Sequence, residues 1–285
     1  MTELWCPTCH APLQPGTSPP VRRCTSCQRS FPERDGYVDL LGTPSVDDEF
    51  DWDPLLDPRI SAATTGRWRS LVRANRAALV PTAGRARVVN VGGAGDDWFG
   101  PACADLLERY VVLDPSVAQL RRFRPPVSGT TLVRGVGEQL PLPDEWADAV
   151  WLHGVLDHLP EVAPVLAEAH RTAATGAVVV VSLTNDGSWF RTLAARVGVH
   201  PDDGHVHERR LDLDDLARTV TDAGFVVEHR ETLGYLRLPR ALERLVFARV
   251  PDRVVDRILD VTDRLGRRVL GPGRGAISIV VGRRV

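Results

Sequence analysis

The chain predicts an α/β fold: a doubly wound, mostly parallel sheet, preceded by a small metal-held ribbon and carrying a helical insertion near its end. Three observations predict it. From Arg87 onward, short β-branched runs alternate with helical stretches, as in a sheet covered by helices on both faces. The run Val88–Val91 breaks at once into glycines at 92, 93 and 95, and the next run, Tyr110–Leu113, closes on Asp114. The chain also opens with two CxxC pairs, Cys6/Cys9 and Cys24/Cys27, separated by 14 residues.

Each element follows in order. Thiolates in two CxxC pairs at this distance make two knuckles around one tetrahedral Zn²⁺. Residues 1–42 are expected to form a zinc ribbon, because so short a stretch cannot build an adequate apolar core without a metal. Gly36 reads as a turn and Tyr37–Leu41 as the strand that closes the ribbon. Residues 43–80 combine an acidic, proline-rich linker with a helix at 61–80, where Trp68, Leu71, Val72, Ala78 and Leu79 fall at roughly helical spacing.

Residues 81–285 make the main domain. Strands are expected at Val88–Val91, Tyr110–Leu113, Thr131–Arg134, Ala149–Leu152, Ala177–Leu183, Phe225–Glu231 and Ala276–Val281, with helices at 101–109, 116–123, 160–173 and 213–223. The insertion at 239–270 alternates charged and apolar residues with helical period and is broken at Pro251. Two readings stand open for it: a helix pair packed on the core or on another subunit, and a lid over the substrate pocket.

Composition narrows the functional classes. The 285 residues carry 43% hydrophobic content and a formal net charge of −2, so no global basic field draws the chain to nucleic acid. All 35 basic residues are arginine. The N-terminus has no charged-then-apolar signal pattern and no apolar run reaches 18 residues, which predicts a cytoplasmic protein with no membrane partner. Cys103, in a helical stretch, reads as a buried small hydrophobe.

The glycine turn and Asp114 belong together. A strand that turns sharply through glycines lets a ligand approach the backbone, and an acidic residue about 20 residues on, closing the second strand, accepts hydrogen bonds from ribose hydroxyls. Ligands of such sheets bind beyond the carboxyl ends of the strands, near the switch in strand order.

Four stretches carry a family resemblance: VVNVGGAGD (88–96), VVLDPS (111–116), GEQLPLPDEWADAVWLHGVLDHLP (137–160) and HERRLDLDDLARTVTDAGF (207–225). With them the chain resembles the class I S-adenosylmethionine-dependent methyltransferases of the UbiE/UbiG-like kind, with an N-terminal zinc ribbon. The resemblance implies a Rossmann-like sheet in which Gly92, Gly93 and Gly95 pass beneath the methionine part of S-adenosylmethionine. Asn90 would face its amino group and Asp114 would hold its ribose. Gly137 and Glu138 would lie near the adenine, and His153 beside the sulfonium. The sequence departs from the family at Ala94 and Asp96, where glycines are usual, and at Val136, where an adenine-binding acid is usual.

Methyl transfer to a hydroxyl or amine requires removal of a proton, and histidine suits that task. His153, His207 and His205 are the candidates; His158, in VLDHLP, reads as structural, and Asp212 as a helix N-cap. The expected reaction is methyl transfer to oxygen or nitrogen of a small organic acceptor. The ribbon-plus-methyltransferase arrangement also resembles bacterial rRNA guanine-N1 methyltransferases, in which the ribbon helps dock RNA; Arg22, Arg23, Arg29 and Arg34 would then meet phosphates. A third reading is a non-catalytic binding partner with an altered methyltransferase fold. The 239–270 insertion offers a surface for an oligomer.

Overall fold

The computed structural model describes residues 4–16, 20–42, 62–79, 84–95, 99–198, 209–237, 245–247 and 249–285, with side chains in the 62–79 segment described from Arg69 onward. Five parallel strands make the centre: β5 (Ala86–Val91), β6 (Leu107–Asp114), β7 (Thr130–Arg134), β8 (Ala147–His153) and β9 (Ala173–Thr184). Before them come β1 (Leu13–Pro15), β2 (Val21–Cys24), β3 (Ser30–Arg34) and β4 (Tyr37–Asp39). After them come β10 (Phe225–Leu233) and β11 (Ile277–Arg284). The described residues place all of these in one sheet, in the order β1-β2-β3-β4-β7-β6-β5-β8-β9-β11-β10. Only β11 runs against its neighbours β9 and β10 in the main part of the sheet. Strand order reverses between β5 and β8, the switch point at which such sheets bind ligands.

The central strands are β-branched on both faces because both are covered. Val89, Val111, Val150 and Val179 pack beneath α4 (Ala163–Thr172) and α6 (Leu213–Asp222). Val88, Val112, Trp151 and Val180 pack against α1 (Ala62–Leu79), α2 (Phe99–Cys103) and α3 (Val117–Arg122). Helix α6 buries Leu213, Leu216, Ala217 and Val220, one helical stripe. Its Asp212 side chain accepts the Asp215 N–H at 2.8 Å, the expected N-cap. Ser116 and Ser188 cap α3 and α5 (Trp189–Arg196) in the same way.

Two local readings are corrected. The helix expected over 101–109 stops at Cys103; a 3₁₀ turn follows, and Leu107 already starts β6. Leu107 and Tyr110 are fully buried and their backbones pair with β5, so tertiary pairing overrides helical propensity. Helix α5, absent from the helices expected above, begins at the Ser188 cap.

In the insertion, Pro251 precedes α7 (Asp252–Leu270), which lies along α1. Arg69 meets Asp256 at 2.8 Å and Arg73 meets Asp260 at 2.9 Å. The buried Asp263 accepts the Gly234 and Tyr235 N–H groups at 3.1 and 2.9 Å. The outer face of α7 exposes Val254, Val261, Leu265 and Val269. No helix among the described residues is long and apolar enough to cross a membrane.

The ribbon is joined to the sheet rather than tethered beside it. Strand β4 pairs in parallel with β7, Val38 opposite Val133 and Asp39 opposite Arg134. Leu4, Leu13, Phe31, Val38 and Leu40 fall in the same apolar cluster as Leu113, Val133 and Leu142, and the Trp5 N–H donates to Pro141 O at 2.9 Å. A shared core and a shared ladder predict cooperative unfolding. Thermal unfolding followed by tryptophan fluorescence and by reactivity of the ribbon thiols is therefore expected to give coincident midpoints. Two separated transitions would show the ribbon to be an independent unit.

Candidate functional site

β5 leaves the sheet at Val91 and turns through Gly92, whose φ is +67°, a conformation that side chains with a Cβ rarely adopt. The Gly92 N–H donates to Leu113 O at 2.7 Å. A Cβ on Gly92 would lie 2.7 Å from Val155 Cγ2, and one on Gly93 would lie 2.2 Å from the Asn90 amide carbon. The first glycine is thus required by both conformation and space, the second by space. Gly95 ends the described part of the turn; 96–98, with Asp96, lie outside the described residues.

Asp114 ends β6 with its carboxylate under this turn. Oδ2 accepts the Ala94 N–H at 3.1 Å and Oδ1 the Ser116 N–H at 2.8 Å. The glycine turn and the aspartate, 20 residues apart in sequence, are in direct contact beside the switch point. Asn90 is placed beneath the turn, fully buried, with its side-chain N–H₂ donating to Tyr110 Oη at 2.8 Å. Gly137 is pressed against β5 and α4: a Cβ there would lie 2.9 Å from Val91 Cγ1 and 3.1 Å from Val165 Cγ1. Glu138 follows it in a half-buried turn.

His153 ends β8 opposite Ser182 of β9. Its Nδ1 lies 2.7 Å from Ser182 Oγ and its Nε2 2.9 Å from Asn75 Nδ2. The ring stacks on Phe99, with centroids 4.1 Å apart. Burial pulls its pKa down to about 3, so at neutral pH the ring is uncharged, and its two nitrogens are engaged by Ser182 and Asn75. The sequence reading missed both partners. Asn75 carried a signal: it sits four residues from Leu71 and four from Leu79, all three fully buried on one stripe of α1. Asn75 Oδ1 is buried and has no hydrogen-bond partner among the described residues.

His205 and His207 lie in 199–208, outside the described residues. Arg209, immediately after, donates through Nε and Nη2 to Pro160 O at 2.9 and 2.6 Å, and through its N–H to Asp157 O at 3.1 Å. These bonds hold Arg209 against the loop that follows β8. A cavity of about 650 Å³ lies elsewhere, between α1, α7 and the β10–β11 pair. Its lining follows β10 from Glu228 to Leu233 and takes in Val281 and Arg283 of β11, on the far side of β8 and β9 from β5 and its glycine turn.

In the ribbon, Cys6, Cys9, Cys24 and Cys27 bring all four Sγ atoms within 4.8 Å of one another. Cys6 and Cys27 are 3.7 Å apart and Cys9 and Cys24 3.3 Å. A tetrahedral Zn²⁺ with bonds of about 2.3 Å places its sulfurs about 3.8 Å apart, so this donor set fits a single ion. Cys103 is separate and buried, and burial raises its pKa to about 11.

The state of His153 gives a pH signature. Its folded pKa lies below the unfolded value of 6.5, so its contribution is complete above that pH and lost as pH falls toward 3. The expected slope is up to about 1.4 kcal/mol per pH unit. Urea unfolding of the wild type and of His153→Gln between pH 7 and pH 4.5 should show the difference in stability shrinking with acidity. A difference that does not vary with pH would mean a solvated ring.

The comparisons with known proteins agree with the fold. Residues 91–181 match the methyltransferase domain family. An uncharacterized methyltransferase of Mycobacterium avium (strain 104) is 28% identical over 137 residues, 44% of this chain and 54% of the relative; the match thus spans about half the relative's length. Among solved structures, a chain of the Haloferax volcanii complex between the Trm112 methyltransferase activator and a methyltransferase superposes with a TM-score of 0.54. It is 19% identical and covers 84% of this chain and 97% of its own. A Mesorhizobium loti S-adenosylmethionine-dependent methyltransferase gives 0.50 at 20% identity, over 80% of this chain and 100% of its own. The [4+2]-cyclase SpnF gives 0.52 at 17% identity, over 78% and 82%. Residues 91–181 are thus similar to the methyltransferase domain family, and the chain shares the Rossmann-like α/β fold of these solved structures.

Proposed function

We propose that the chain binds S-adenosylmethionine and transfers its methyl group to an oxygen or nitrogen of a small organic acceptor. The observation that carries the reading is the contact between the glycine turn and Asp114: a turn where Val155 and Asn90 leave no room for a Cβ on Gly92 or Gly93, closed by a carboxylate at the switch point. Gly92, Gly93 and Gly95 would lie under the methionine part and Asp114 would take the ribose hydroxyls. Gly137 and Glu138 would border the adenine. Asn90 supports the turn from below. When bound, the cofactor supplies an activated methyl on a sulfonium, so the protein has mainly to align the reactants and accept a proton.

His153 does not suit the role of base. A neutral ring with both nitrogens engaged lines the site and holds α1 to β8 and β9. Proton removal falls instead to His207 or His205, which shortly precede Arg209 in the sequence. The ribbon would hold one Zn²⁺ through Cys6, Cys9, Cys24 and Cys27.

The net charge of −2 favours a small acceptor over RNA, because phosphate binding by counterion release requires cations. Of the four ribbon arginines, Arg22 pairs with Glu33 and Arg34 with Asp39; Arg29 donates to the neutral Thr8 hydroxyl and Arg23 is exposed. The SpnF likeness shows that this fold is compatible with a name other than methyltransferase, so transfer of label, not binding alone, decides the reading.

Calorimetry with S-adenosylhomocysteine should give one site per chain. Asp114→Asn should weaken it roughly 10- to 100-fold, the worth of a hydrogen bond to a charged group. No binding at millimolar concentration would end the proposal. With a labelled methyl donor and fractionated extract, label should appear among small molecules; label in RNA, with a steep salt dependence of binding, would favour the RNA reading. His207→Ala or His205→Ala should lower turnover while cofactor affinity stays within about twofold, a shift well under 1 kcal/mol. Elemental analysis should return one zinc per chain, lost in Cys9→Ser.

A further inference from the structure

The ribbon reaches the glycine-turn site through a row of charged residues. Asp39, Arg134 and Asp114 stand at one level of three adjacent parallel strands: Arg134 is the register partner of Asp39 on one side and of Asp114 on the other. Asp39 is 0% exposed and Arg134 2%. The Arg134 Nη1 donates to both Asp39 oxygens, at 3.2 and 3.3 Å. Its Nε donates to Pro115 O at 3.3 Å, the carbonyl directly after Asp114. The Gly135 N–H adds a bond to Asp114 O at 3.3 Å.

Asp39 is itself fixed from the ribbon. It accepts the Leu41 and Gly42 N–H groups at 3.2 and 3.0 Å and is paired with Arg34. Burial by itself would raise its pKa, but the Gly42 N–H, the Arg34 hydrogen bond and the Arg134 charge hold it below the usual carboxylate value. It is a stable anion in a dry place. A guanidinium is a rigid planar fork, so locking one edge of it on Asp39 fixes where the other edge points. Here that edge points at the backbone of the Asp114–Ser116 turn.

We propose that Asp39 is a positioning residue for the ribose-binding aspartate. Through Arg134 it sets the Asp114–Ser116 turn, and the ribbon thereby governs cofactor affinity. The inference rests on the reading of Asp114 given above. A residue that merely stabilises the fold would, on mutation, lower the melting temperature and leave the pattern of ligand recognition unchanged. A residue that positions Asp114 would alter recognition of the ribose hydroxyls in particular.

The test uses the full chain and two ligands, S-adenosylhomocysteine and its 2′,3′-dideoxy analogue, with dissociation constants from calorimetry. Asp39→Asn should weaken the parent ligand about tenfold, the worth of one hydrogen bond, and the dideoxy analogue by less than twofold. Arg134→Lys is the second variant, because it keeps a positive charge against Asp39 while losing the fork that also reaches Pro115. It should show the same ligand-selective loss even if Asp39→Asn, which strands a buried guanidinium, fails to fold. Wild-type affinity for the parent ligand in a folded variant, or equal losses for both ligands, would overturn the inference. Failure of the wild-type protein to bind S-adenosylhomocysteine is a different result, and would overturn the proposed function together with it.

Discussion

The site depends on a turn that has no room for side chains. Val155 closes on Gly92 from one side, the Asn90 amide fills the space beneath Gly93, and Leu113 O draws the Gly92 N–H toward β6. With the backbone so confined, Asp114 can hold it through a single amide, that of Ala94. This accounts for a departure from the family pattern. Ala94 stands where a glycine is usual, yet the group that Asp114 uses is the N–H, which alanine keeps. Its methyl joins the apolar cluster around Phe99 and Tyr110. The substitution changes packing below the site and leaves the hydrogen bond above it in place.

The same economy appears at the other edge of the sheet. A parallel sheet ending at β7 would present an unpaired edge, which proteins cover or blunt. The ribbon covers it with three residues of β4 and shares the apolar cluster beneath. In return, a segment too small to bury a core of its own gains one by joining a larger one, with the four cysteines clustered at its tip. The Asp39–Arg134 pair sits at the end of this junction. Buried ion pairs add little net stability because desolvation offsets their attraction. Their use lies in register: a slip of one residue would move Asp39 away from Arg134 and strand both charges.

Local signals made much of this legible in the sequence. The alternation of β-branched runs and amphipathic stretches marked the strands, glycine followed 20 residues later by aspartate marked the turn, and two CxxC pairs marked the ribbon. Each is written within a short window and needs no knowledge of distant contacts. The parts that stayed hidden are non-local. The pairing of β4 with β7 joins residues about 95 apart through three positions, too few to leave a pattern. The environment of His153 depends on Asn75, 78 residues away, so a histidine at a strand end could be read as a base when it is a buried structural group. Helix α7 carries apolar residues on its inner and outer faces alike, and its period alone could not decide what it packs against.

The absence of lysine bears on any chemistry at neutral pH. Arginine keeps its charge throughout the working range, so the ordinary amine that titrates when buried is missing from the side chains. Histidine is the side chain whose unperturbed range falls between pH 5 and 8, and burial removes His153 from that window. His170 is also drawn down, first by burial and then by the charge of Arg284. A rate that depends on loss of a proton near neutrality must therefore look to a histidine that burial does not draw down. Arg209 itself is tied through Pro160 and Asp157 to the loop that follows His153. Burial thus gives His153 a task that needs no charge at neutral pH, holding α1 to β8 and β9 through Asn75 and Ser182.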